Sequence, residues 1–161
     1  MTFSKQILDF YFNLPKELPL PNGVEIIYPF NQVETKRVME TFFNKYYDDT
    51  RPRTYLVGIN PGRLGSGITG IGFADAYHLD NYCDIPNSFD KRVEISAAFM
   101  FEVIEAYGGV EKFYKDFFIF RIICSHRYTN YHLGRKIRTL GKITGQFSQF
   151  GRLILAVILS R

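Results

Sequence analysis

The residues best equipped for chemistry fall in one run, Gly58-Ile59-Asn60-Pro61-Gly62-Arg63-Leu64-Gly65-Ser66-Gly67-Ile68-Thr69-Gly70-Ile71-Gly72-Phe73. Six of these sixteen residues are glycine, a composition poor for a packed core and suited to a loop whose backbone approaches a ligand closely. Asn60 stands where the apolar run Tyr55-Leu56-Val57-Gly58-Ile59 gives out, and the proline after it narrows its backbone choices. An amide held there is a fixed hydrogen-bonding group, at the kind of strand end where open α/β sheets bind ligands. Alone, Asn-Pro would read as an ordinary turn; the glycines that follow favour a site.

Other chemistries fit less well. Gly65-Ser66-Gly67-Ile68-Thr69-Gly70 matches the dinucleotide fingerprint G-x-G-x-x-G. Yet Asn60 to Leu64 separate it from its strand, and Gly72 falls where a helix should be starting. A dinucleotide-binding Rossmann-like protein therefore stands as an alternative only. No Lys-Ser/Thr follows the glycines, which excludes a Walker A loop. His78, His126 and His132 have no metal-ligand spacing and read as surface or packing residues, and Cys83 and Cys124 have no CxxC partner. Neither a metal nor a cofactor is expected.

The elements that must hold the glycine-rich run follow from periodicity. Phe3 to Phe12 reads as an amphipathic helix with Phe3, Ile7, Phe10 and Tyr11 on one face. A proline-punctuated linker, 14–23, leads to a short strand, Val24 to Tyr28. Asn31 is the candidate N-cap of a helix reaching Tyr47, with Val33, Val38, Met39, Phe42 and Phe43 on its apolar side. Thr54 to Ile59 is the strand feeding the loop. A second long helix spans Arg92 to Tyr107, with Ile95, Phe99, Phe101, Val103 and Ile104 as its candidate buried residues, and Gly108-Gly109 stops it. Val110 to Tyr114 adds a helical turn before a buried strand, Phe117 to Phe120. This order predicts crossover helices and a parallel sheet, with 54–59 beside 117–120 and the loop at the carboxyl edge.

Length and composition bound the class. The 161 residues suit one domain, and 46% hydrophobic with 17% aromatic content excludes a disordered chain. The longest apolar run, Leu153 to Leu159, is too short to cross a bilayer, and the first residues lack the pattern of a signal peptide. A cytoplasmic monomer with free thiols and no membrane contact is the expectation. The net charge of +4 conceals an asymmetry: residues 1–120 hold 12 basic and all 16 acidic side chains, and residues 121–161 hold 8 basic ones and no acid. Such a segment suits nucleic-acid phosphates. A further alternative is thus a non-catalytic nucleic-acid binder, stacking bases on Tyr128 or Tyr131.

Gly58-Ile59-Asn60-Pro61-Gly62, then Gly65, then Thr69-Gly70-Ile71-Gly72-Phe73 resembles the first active-site motif of the uracil-DNA glycosylase superfamily. It is most similar to the bacterial proteins of the single-strand-selective monofunctional branch, as are the helix Glu94 to Tyr107 and its Gly108-Gly109 stop. The resemblance implies a three-layer α/β/α fold with a parallel central sheet. It also implies hydrolysis of the N-glycosidic bond of uracil or a related base in single- or double-stranded DNA. That reaction passes through an oxocarbenium-like sugar and needs a held water. By resemblance Asn60 orients the water, Phe73 stacks on the flipped base, and the amides of Gly62 and Gly72 approach the base or its phosphate. Asn60 and Phe73 would then line one concave pocket. Arg63 reads as a solvated charge, or as a phosphate contact together with Arg127, Arg135 and Lys136.

The departures are specific. Gly72 replaces the family's proline, loosening the backbone before the stacking ring, and no His is followed by Pro, so the family's His-Pro-Ser-like loop has no counterpart. Asn130 is the only Asn after Asn87, and nothing around it matches the family's base-reading strand. The resemblance covers about residues 20 to 120. This divides the chain into a glycosylase-like part, 1–120, and a basic segment, 121–161, that is either divergent or out of frame, leaving the fold incomplete at its carboxyl end. Impaired or absent base release is the expectation for such a chain.

Overall fold

The computed structural model describes residues 1–15, 28–58 and 63–121. Helix α1 spans Phe3–Phe12, α2 Val33–Tyr47, strand β1 Thr54–Gly58, α3 Ser66–Thr69, α4 Ala76–Asn81, α5 Ile95–Tyr107, α6 Val110–Asp116 and strand β2 Phe117–Arg121. The two strands pair in parallel, with Thr54 opposite Phe117 and Val57 opposite Phe120. This is the pairing expected from the sequence, and the glycine-rich run leaves the carboxyl end of β1. No helix among the described residues is long and apolar enough to cross a membrane.

Alternation along the strands sorts the layers. Tyr55 and Phe118 turn to α1 and α2, where Phe3 meets both rings edge-on at 6.1 and 4.9 Å. Tyr47 of α2 closes the cluster against Phe3 and Phe118 at 5.8 and 5.5 Å. Edge-to-face aromatic pairs add to the burial of their large areas, so the core is built largely from rings. On the opposite face Phe117 packs against Tyr107 of α5 and Phe113 of α6, and Ile119 meets Gly72 of the glycine-rich run. Helices thus cover both faces of the parallel pair, an α/β fold.

Arg53 anchors the amino end of β1. It is only 2% exposed, and its guanidinium lies 4.7 Å from the centre of the Tyr47 ring. Nε donates to Tyr114 O at 2.9 Å and Nη2 to Tyr46 O at 3.0 Å, while Nη1 and Nη2 grip both Asp49 carboxylate oxygens at 2.8 and 2.9 Å. A buried cation is tolerated only when its donors are used in this way.

Several elements differ from the sequence reading. Asn31 does not cap α2: it ends a 3₁₀ turn, Pro29–Asn31, and Gln32 takes the N-cap position. Val33, in the first turn, is 85% exposed, because the apolar face begins at Thr35 and runs through Val38, Met39 and Phe42. Helix α5 starts at Ile95 rather than Arg92, and it buries Ala97, Met100, Phe101 and Ile104. Ile95, Phe99 and Val103 are exposed instead. The helix carries apolar residues on both sides, and the side with small Ala97 can approach its neighbours. Helices α3 and α4 were not anticipated. The strand expected at Val24 to Tyr28 lies, but for Tyr28, outside the described residues, as does most of the linker.

Replacing Arg53 by Ala removes five donors and leaves buried carbonyls unpaired; with Asp49 partly exposed, the loss should be about 2–3 kcal/mol. Urea unfolding measures it, and an unchanged midpoint would contradict the anchor. Burial, the largest influence on Asp49, pushes its carboxyl up, but hydrogen bonds from Arg53 and the Arg51 amide outweigh it and hold it below the ordinary range. Its stabilisation is complete above the unfolded carboxylate pKa and fades as pH falls through the lowered folded value. That acid sensitivity should shrink in Arg53→Ala.

Candidate functional site

The glycine-rich run leaves the sheet at Gly58, and its described part resumes at Arg63. Gly65 O accepts from Ile68 N at 2.8 Å and Thr69 N at 3.0 Å, closing the single helical turn α3. Helix α2 seats that turn: Thr35 Oγ1, fully buried, donates to Ile68 O at 2.8 Å. Gly70 then ends α3 at φ 75°, and a side chain there would strike Met39 of α2. A left-handed residue with no room for a Cβ has to be glycine. Since Gly70 closes a helix instead of opening one, the dinucleotide fingerprint finds no support.

Thr69 staples the return of the run. Its hydroxyl donates to Ala74 O at 2.7 Å and accepts from Ile71 N at 3.2 Å. Thr69 is fully buried, as is Ala74, so the 69–74 segment folds around one oxygen. Gly72 is buried against β2, where an added Cβ would come within 3.0 Å of Ile119 Cγ2. Gly72, which stands where the motif it resembles has proline, therefore gives a close backbone approach to the sheet rather than a free segment.

Phe73 is the outcome of this arrangement. Its φ of 54° is a left-handed conformation unusual for a bulky residue, and such strain costs of order 1–3 kcal/mol. The half-buried ring lies over the carboxyl end of β1: a Cβ on Gly58 would stand 2.7 Å from Phe73 Cε2. Residue 58 must be glycine for the ring to sit there. Phe73 thus comes to the end of the strand that leads into Asn60, while Gly72 lies against Ile119 of β2, which pairs with Leu56. Asn60 and Gly62 lie outside the described residues, as do Arg127, Arg135 and Lys136. Arg63 is exposed on the run, beside Leu64.

Two acidic residues that the sequence reading had not placed there, Asp75 and Glu94, stand beside Gly65, and His78 is tied to the first of them. Asp75, fully buried, caps α4 by accepting from His78 N at 2.9 Å. The same oxygen lies 2.7 Å from His78 Nδ1, a contact that puts a proton on Nδ1 for an accepting carboxylate. His78 is buried and stacks on Phe101 of α5 at 4.6 Å, in keeping with a packing role. The other Asp75 oxygen accepts from Glu94 N at 2.8 Å, and Glu94 turns its carboxylate to Gly65. The Asp75-x-x-His78 spacing at a helix start was the visible signal for the first pair. Nothing local marked Glu94.

No protein-family model matches the chain, and no curated protein matches it. Solved structures do match, six chains in all. One is the crystal structure of wild-type Pedobacter heparinus SMUG2, with a TM-score of 0.75 and 30% sequence identity, covering 98% of this chain and 87% of that one.

Thr69→Val keeps the shape of the side chain and removes its hydroxyl, leaving Ala74 O and Ile71 N unpaired in the interior. The expected cost is about 1–3 kcal/mol, with faster hydrogen exchange at the Ile71 amide. Unchanged exchange there would show that the segment does not depend on Thr69.

Proposed function

Because this chain belongs to the uracil-DNA glycosylase superfamily, on its SMUG2-like branch, we propose that it hydrolyses the N-glycosidic bond of uracil or a related base in DNA. The observation that carries this reading is Phe73, held in a strained left-handed backbone over the end of β1. Strain of this kind concentrates at ligand sites, and a fixed aromatic ring is the natural platform for a base taken out of its stack. Asn60 follows the last described residue of β1 by two positions. In this reading its amide orients the attacking water, while the oxocarbenium-like sugar develops its charge beside it. The amides of Gly62 and Gly72 approach the base or its phosphate.

DNA is the partner in this reading. Arg63 and the basic 121–161 segment, with Arg127, Arg135 and Lys136, neutralise phosphates, so affinity falls as salt rises. Release is slow. The sequence has no His-Pro pair to stabilise a departing base anion, and loss of one such group costs on the order of 10²–10³ in rate.

The test is a single-turnover assay, enzyme in excess, on uracil-containing single-stranded and duplex oligonucleotides at low salt. The intact chain should release base over hours. Asn60→Ala should slow release by about 10²-fold or more, while oligonucleotide affinity stays within about twofold. Release no greater than from Asn60→Ala would overturn the reading, and so would equal losses of release and binding.

A further inference from the structure

Glu94 occupies an unusual place. It is the N-cap residue of α5, where a side chain commonly folds back onto the helix amides, yet it makes no such cap. Its backbone N–H is held instead by the buried carboxylate of Asp75 at 2.8 Å. Ser96 Oγ donates to Glu94 Oε1 at 3.1 Å, which fixes the carboxylate from the helix side. The other oxygen, Oε2, fills the space that a Cβ on Gly65 would need. Asp75 Cβ stands 3.8 Å from that same point. Gly65 is thus enclosed by two acidic residues, one contributed by the end of its own run and one by α5. Since Gly65 O receives the first two amides that close α3, whatever sets Gly65 also sets where the turn toward Phe73 begins.

We infer that Glu94 is a positioning residue for base release: its carboxylate, aimed by Asp75 and Ser96, sets the glycine-rich run at Gly65 in the geometry that carries Phe73 to the end of β1. This rests on the glycosylase reading above. The glycine at 65 and the glutamate at 94 form one unit, because the carboxylate can occupy its place only if residue 65 has no side chain. The obstructing atom is the far end of a flexible side chain, so a Cβ at 65 displaces the carboxylate before it disturbs the core. Gly65→Ala and Glu94→Ala therefore produce the same defect by different routes.

The experiment uses the full chain and compares Glu94→Ala, Glu94→Gln, Gly65→Ala and the Gly65→Ala/Glu94→Ala double variant. Single-turnover release from a uracil-containing oligonucleotide, affinity for that oligonucleotide and the thermal midpoint are measured for each. Misplacing a reacting group by about 1 Å can cost about 10²-fold. Glu94→Ala and Gly65→Ala should each slow release by about 10- to 100-fold, with affinity within about twofold and the thermal midpoint retained. The double variant should be no slower than either single one, the mark of two residues acting as a unit. Glu94→Gln, which keeps the shape and one acceptor oxygen, should recover part of the rate. Multiplying losses in the double variant, losses that follow the thermal midpoint, or unaltered rates in an active chain would overturn the role of Glu94 alone. A chain that releases no more base than Asn60→Ala would overturn the glycosylase reading, and this inference with it.

Discussion

A carboxylate with no access to water has to be satisfied by the protein, and that requirement at Asp75 ties together three segments that follow β1. Asp75 takes the amide of His78, the ring Nδ1 of His78 and the amide of Glu94. These bonds join the return of the glycine-rich run, the start of α4 and the start of α5. An unpaired buried charge would cost several kcal/mol, so the three segments cannot move apart independently. Phe73 stands two residues before this tie, and the backbone of Glu94 is held by it.

The two ends of β1 divide the labour of the domain. At the amino end Arg53 spends its donors on Asp49, Tyr46 and Tyr114 and stacks on Tyr47, with the aromatic cluster of α1, α2 and β2 around it. Tyr47 and Tyr114 are so enclosed there that burial pushes both phenols well above their ordinary range. At the carboxyl end the backbone carries strain at Phe73, close approaches at Gly58, Gly65 and Gly72, and buried acids. Strain and close-packed acids persist only where the surrounding structure enforces them. The aromatic cluster anchors one end of β1, and the strained, closely packed glycine-rich run leaves the other.

What could be read from the sequence was the set of features with local causes. The apolar runs at 54–59 and 117–120, separated by helical periodicity, predict the parallel pair that the fold contains. The Asn-Pro-Gly and Thr-Gly-x-Gly-Phe segments pointed to the family of this chain. Features decided by tertiary contacts were not legible. In α5 two apolar stripes compete, and only packing selects Ala97, Met100, Phe101 and Ile104 over Ile95, Phe99 and Val103. A left-handed Phe73 runs against local preference and exists because Thr69 and Gly58 accommodate it. Glu94 lies 29 residues after Gly65 in sequence, and no local pattern links the two. The short helix α4 was overlooked because its six residues carry too little periodicity to register.

In the proposed function the carboxyl edge of β1 receives a single flipped base on Phe73, with the sugar presented to Asn60. The most direct measurement is a crystal structure of the chain bound to an oligonucleotide containing one 2′-fluoro-2′-deoxyuridine, whose glycosidic bond resists cleavage. The modified base is expected out of its stack, lying against the Phe73 ring, with the anomeric carbon of its sugar facing the Asn60 amide. An oligonucleotide bound with its bases stacked along another surface, and Phe73 untouched, would contradict it.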